Sequence, residues 1–141
     1  MSLQFKLVDI DDYLLCEVHG KHENNPQASI DYFLEVLLHC RSSAKPKVLI
    51  DLREVTGTLS ATSRILFYEK IIDKHEIYLQ FGGTPIRMAF LLSPQNVVNY
   101  NPGLDVAKRR NFPAAVYSNL YEAIDWLKEA ETEDCSAALE A

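Results

Sequence analysis

Apolar and polar positions alternate along "LQFKLVDI", where Leu3, Phe5 and Leu7 are separated by polar neighbours. That period of two predicts a strand. A second strand-like run, "YLLCEVHGK", follows Asp11 and Asp12, an acidic pair with turn chemistry. Together the runs predict a hairpin that ends at Gly20. The period then changes. In "NNPQASIDYFLEVLLHC", Ile30, Phe33, Leu34, Leu37 and Leu38 recur at helical spacing, with Asn25 suited to the N-cap and Pro26 to the first helical position. Ser42, Ser43 and Pro46 end this helix near Arg41.

"PKVLIDL" is apolar without alternation, which predicts a strand covered on both faces and closed by Asp51. A long helix is predicted from about Ala61 to about Phe81, buried through Ile65, Tyr68, Ile72 and Leu79. Gly82-Gly83 and then Pro85 stop it. "IRMAFLLS" is a further buried strand, Ser93-Pro94 opens a loop with at least one helical piece, placed over Leu104 to Arg110, and "AAVY" is a short strand. "SNLYEAIDWLKEA" closes the pattern as a helix, with Asn119 and Glu122 at capping-box spacing and Leu120, Ala123, Ile124 and Leu127 on its inner face.

The alternation predicts an α/β domain over residues 1–130. It has a mostly parallel five-stranded sheet, an N-terminal antiparallel hairpin and about four helices. Residues 131–141, "ETEDCSAALEA", are left as an acidic tail and a candidate for disorder. A chain of 141 residues suits one domain.

Charge narrows the function classes. A net charge of -6 argues against a nucleic-acid partner, and the one basic cluster, Lys108-Arg109-Arg110, reads as a solvated helix end. Three cysteines without CxxC spacing make no disulfide framework, and Cys16 and Cys40 read as small core hydrophobes. No apolar run approaches the roughly 18 residues of a membrane span, so a cytoplasmic protein is expected.

The chain has no G-x-S-x-G elbow and no Walker A loop. His19 and His22, with Glu23, have a spacing able to hold a metal, but no further ligand of fixed geometry joins them, so exposed strand-end side chains are the simpler reading. His39 and His75 read as partly buried helix residues. No catalytic set, metal or cofactor is therefore expected; Asp51 with His75 or with Glu69 are the acid–base candidates that can be named. Trp126 reads as a core anchor.

The residues that stand out lie between the central strand and the long helix: Thr56, Gly57, Thr58, Ser60, Thr62 and Ser63. Asp51 precedes them, at the carboxyl end of a parallel strand, where ligands collect in such sheets. Its carboxylate equally suits the backbone donors of a turn. Ser60 falls at the expected N-cap, where its hydroxyl is worth about 1 kcal/mol. The same place suits a phosphate, whose charge would meet the positive end of the helix dipole.

"VLIDLREVTGTLSATSRILF" resembles the strand–loop–helix segment of STAS domains, the SpoIIAA-like class named for sulfate transporters and anti-sigma-factor antagonists. Those domains read D-L-x-x-V and then D-S-S-G. Asp51, Leu52 and Val55 match the first motif, and Ser60 falls on the serine that antagonists phosphorylate, while Leu59 and Ala61-Thr62 depart from the second. "NFPAAVYSNLYEAIDWL", with Ala123, Trp126 and Leu127, and "PIRMAFLL" resemble a divergent bacterial stand-alone STAS/SEC14-like branch. The resemblance implies a SpoIIAA-like fold and a non-catalytic regulatory or protein-interaction module. Its surface would be Asp51, Thr56, Gly57, Thr58, Ser60, Thr62 and Ser63 with the exposed side of the long helix, and Ser60 would be a phosphorylation position. The alternative is a carrier of a small molecule, lipid or nucleotide, in a cleft between the long helix and residues 94–110. Pairing of the edge hairpin between copies would give a homodimer.

Overall fold

The computed structural model describes residues 3–10, 13–21, 27–43, 46–56, 60–83, 85–97 and 101–129. Strands β1 (Gln4–Ile10) and β2 (Tyr13–Lys21) form the expected antiparallel hairpin, in register from Gln4 opposite His19 to Ile10 opposite Tyr13. Strands β3 (Lys47–Thr56), β4 (Arg87–Leu91) and β5 (Ala114–Tyr117) continue the sheet in the order β1-β2-β3-β4-β5, each parallel to the strand before it. The helices are α1 (Gln27–Ser43), α2 (Ala61–Gln80), α3 (Pro94–Val97), α4 (Asn101–Arg109) and α5, residues 120–129.

The strand order advances in one direction, so crossovers of one hand place their helices on one face of the sheet. Phe33 and Val36 of α1, Phe67, Ile71 and Ile72 of α2 and Val106 of α4 share one core with Val48, Ile50, Leu52, Met88 and Phe90. The alternate strand residues Leu49, Ala89 and Leu91 pack against Ala123 and Leu127 of α5. β3 therefore lacks alternation because both of its faces are buried.

Among the described residues there are five helical segments, α3 being a single turn in the loop after β4 opened by Ser93, whose carbonyl and hydroxyl both accept from Asn96 at 2.9 Å. Two features differ from the sequence expectations. Helix α1 runs past Arg41 to Ser43 and turns Leu38 outward at 62% exposure, while Tyr32, Val36 and Cys40 are buried. Contact of Tyr32 with Phe5, ring centroids 5.9 Å apart, shows that the helix packs towards the β1 edge as well as the sheet centre. Finally, β3 continues five residues beyond Asp51 to Thr56.

His75 is buried, at 5% exposure, and is not a partly exposed surface residue. Its Nε2 accepts the backbone N–H of Ile86 at 3.1 Å, and Phe112 meets the ring edge-on with centroids 5.0 Å apart. His39 is half-buried as expected, with its Nε2 3.1 Å from Asp9 Oδ2. Burial pushes the Cys16 and Cys40 thiols up to about 12, in keeping with core residues.

Helix α2 ends as the glycines predict. Gly82, at φ +87°, donates to the Leu79 carbonyl at 3.1 Å, and Gly83 donates to the Tyr78 carbonyl at 3.0 Å, the Schellman pattern. A Cβ at Gly83 would overlap the Tyr78 ring. At the other end of the sheet order, Asn119 caps α5, its Oδ1 accepting from Tyr121 N at 2.9 Å and Glu122 N at 3.1 Å. Trp126 is half-buried, with the Arg87 guanidinium 3.7 Å above its ring and Arg87 Nη2 donating to its carbonyl at 2.9 Å.

Candidate functional site

β3 is paired on both sides only as far as Asp51, whose partners are Glu17 of β2 and Leu91 of β4. Beyond it the strand follows β2 alone, and the register shifts by one residue between Glu17 and His19. Such a bulge leaves a backbone donor outside the ladder. Asp51 Oδ1 accepts the Arg53 N–H at 3.0 Å, and the Arg53 side chain returns to the same carboxylate through Nε at 3.0 Å and Nη2 at 2.9 Å. Burial pushes the Asp51 carboxyl up, but the Arg53 hydrogen bonds and charge, with His19, outweigh it and hold the group below its ordinary value of 3.8. Asp51 thus fixes the exit path of β3.

That path delivers Thr56 to the rim, exposed, with its hydroxyl donating to the Gly20 carbonyl of β2 at 3.3 Å. Gly57, Thr58 and Leu59 lie outside the described residues. The chain is described again at Ser60, in extended conformation at φ −62° and ψ 161°. Ser60 Oγ accepts from the Ser63 N–H at 3.1 Å, and the Ser60 carbonyl accepts from Arg64 N at 2.9 Å. Ser60 is the N-cap of α2, satisfying one of the donors that a helix start leaves unpaired.

The cap joins Ser60 to Ser63, with Thr62 between them in the first turn; Ser60 and Thr62 are exposed and Ser63 is half-buried. Asp51 stands apart. Five residues of strand separate it from Thr56, about 17 Å at the usual rise, and its parity with Leu49 places it on the α5 face of the sheet. One turn along α2 from Thr62, Leu66 is 40% exposed, an apolar side chain beside the hydroxyl cluster that the sequence reading did not single out. The first turn of α2 contains no acidic residue.

The carboxylate of Asp51 is held by Arg53, and the Nε2 of His75 is taken by Ile86, so the named pair has other commitments. His19 is exposed at the end of β2, while His22 and Glu23 lie outside the described residues. Among the described residues no group of three His, Cys, Asp or Glu is placed to hold a metal. No helix among them is long and apolar enough to cross a membrane.

The fold is that of an anti-sigma factor antagonist from Mycobacterium paratuberculosis, at 16% identity and TM-score 0.56, over 90% of this chain and 95% of that one. Weaker likenesses are to an uncharacterised DUF3478-family protein with a SpoIIAA-like fold from Shewanella loihica PV-4 (18% identity, TM-score 0.49, 89% and 93% covered). They extend to the antagonist SpoIIAA in its unphosphorylated form (13% identity, TM-score 0.48, 89% and 98% covered). No protein-family model and no curated protein matches the sequence. The first of these likenesses shows that the chain shares its α/β fold with an anti-sigma factor antagonist.

Proposed function

We propose that this protein is a non-catalytic regulatory module that binds another protein through the corner where β3 passes into α2. The observation that carries the reading is the exposed Leu66 one helical turn from Thr62 and Ser63, beside the Ser60 cap. An exposed apolar side chain next to small polar groups suits a protein interface. The topology supports it as well. The strand order does not reverse, so the sheet lacks the switch-point crevice in which α/β enzymes hold small ligands. A structure with the same fold is described as an anti-sigma factor antagonist. The surface comprises Thr56, Gly57, Thr58, Ser60, Thr62, Ser63 and Leu66, with Asp51 setting the direction from which β3 arrives.

Ser60 is the position for control of this surface by phosphorylation. Its side chain is exposed, and a phosphate there would meet the positive end of a 20-residue helix with no acid in its first turn. Intact-mass measurement of the protein from its native cells tests this: an added phosphate that disappears in Ser60→Ala supports it, and an unmodified mass under all growth conditions opposes it.

The interaction itself is tested by affinity capture with variants matched for stability. A partner retained by the wild type and by Lys128→Glu, but lost with Thr62→Arg and Leu66→Asp, places binding at the corner. Equal retention by all four defeats the proposal.

A further inference from the structure

A groove of about 350 Å³ runs between α1 and α2, in their C-terminal halves. α1 supplies Leu34, Leu38 and Arg41, and α2 supplies Lys74, Ile77 and Tyr78. It lies away from the corner: Ile77 is 17 positions beyond Ser60, about 25 Å along a helix axis. It is lined by α1 and α2 and not by α4, which packs on α2 where Arg110 reaches Asp73 at 2.8 Å and Glu76 at 2.9 Å.

Two properties of the groove are unusual for this chain. Leu38 and Ile77, which both line it, stay 62% and 53% exposed, a pairing of apolar side chains where a surface normally scatters them singly. The groove's charges are also one-sided. No Asp or Glu lines it, although the chain carries a net charge of -6. Arg53 and Arg110 are held by carboxylates, whereas the side chains of Arg41 and Lys74 make no hydrogen bond or ion pair among the described residues.

We propose that this groove binds a single-chain anionic amphiphile, with its acidic head between Arg41 and Lys74 and its alkyl chain along Leu34, Leu38 and Ile77. The volume is that of a small-molecule site, which is typically about 300–1,000 Å³ and mostly apolar with a few placed polar groups. A protein partner would need roughly 20–30 residues on each side, far more than line the groove. A second copy docked on the same patch about a two-fold axis would set Arg41 and Lys74 against their own duplicates. An anion with an apolar tail satisfies both halves of the site at once. This site is independent of the corner and of any partner bound there.

The test is a titration of methyl- and amide-labelled protein with sodium dodecanoate below its micelle concentration. Sodium acetate and dodecyltrimethylammonium serve as controls for tail and charge. Saturable shifts at Leu34, Leu38 and Ile77 are expected, with binding at least about tenfold weaker for either control and for the Arg41→Ala/Lys74→Ala double variant. Leu38→Glu, at an exposed position that leaves the core intact, removes the response; thermal melts confirm that both variants fold. Equal binding of the cationic detergent, equal binding of acetate, or shifts centred elsewhere overturn the proposal. So does a dimer in sedimentation that Leu38→Glu dissociates, because the occupant would then be a second copy.

Discussion

Ser60 Oγ lies 3.1 Å from the backbone nitrogen of Ser63, and Ser60 donates its own proton to Ser63 Oγ at 3.1 Å. The pair closes the first turn of α2 on itself. Substituting Ser60 by Ala leaves the Ser63 N–H without that acceptor and is expected to cost about 1 kcal/mol, whereas Asp, itself a good N-cap, keeps the acceptor and adds a charge that the helix start favours. Denaturant unfolding of the two variants checks the order wild type ≈ Ser60→Asp > Ser60→Ala.

His75 gives the fold a dependence on mild acid. Burial lowers its pKa below the ordinary 6.5, against the opposing charge of Glu76, and its Nε2 must be unprotonated to accept from Ile86. The folded state therefore binds the proton less readily than the unfolded chain does. Its contribution to stability is complete above about pH 6.5 and declines as the pH falls from there towards the lowered folded value. In His75→Gln, which keeps an acceptor but does not titrate, the unfolding midpoint is expected to change less between about pH 6.5 and 5; parallel curves for the two proteins would refute this.

Arg87 tethers the last helix. It combines a stack on Trp126 at 3.7 Å with bonds to the Trp126 carbonyl from Nε at 3.2 Å and Nη2 at 2.9 Å. Lysine keeps the charge but loses the planar fork, so Arg87→Lys is expected to cost about 1 kcal/mol. Trp126 is the chain's single tryptophan, and its emission reports the change directly by shifting to longer wavelength. An unchanged spectrum and midpoint would show that α5 is held without this contact.

Gly82 and Gly83 are required for different reasons. Gly82 has open space around it but sits at φ +87°, so Gly82→Ala pays only the left-handed penalty, about 1 kcal/mol, and Gly82→Asn less. At Gly83 a methyl would meet the Tyr78 ring, and Gly83→Ala is expected to move that ring, visible as changed Tyr78 ring resonances in NMR spectra.

Elements with a clean period were legible in the sequence. The hairpin boundaries, the AAVY strand, the doubly covered β3 and the Gly82–Gly83 stop follow from local rules of alternation, burial and left-handed backbone. The misreadings come from tertiary contacts. Leu38 fits the apolar stripe of α1, but the helix turns Tyr32, Val36 and Cys40 inward because it packs towards the β1 edge as well as the sheet. His75 has no local signature of burial, since its partner is the backbone of Ile86. Asp51 belongs to a bulge that only the β2 register reveals. The Ser60 cap was legible because a cap is a local device, whereas the neighbouring Leu66 stands out only once exposures are known.

Site-specific photocrosslinking in living cells tests the central claim most directly. A photoreactive residue is placed in turn at Thr62, Leu66, Glu35 and Lys128, all exposed positions. A discrete protein adduct from Thr62 and Leu66, with none from Glu35 or Lys128, is the predicted result. Adducts confined to Glu35 or Lys128, or none from any position, would contradict a partner-binding corner between β3 and α2.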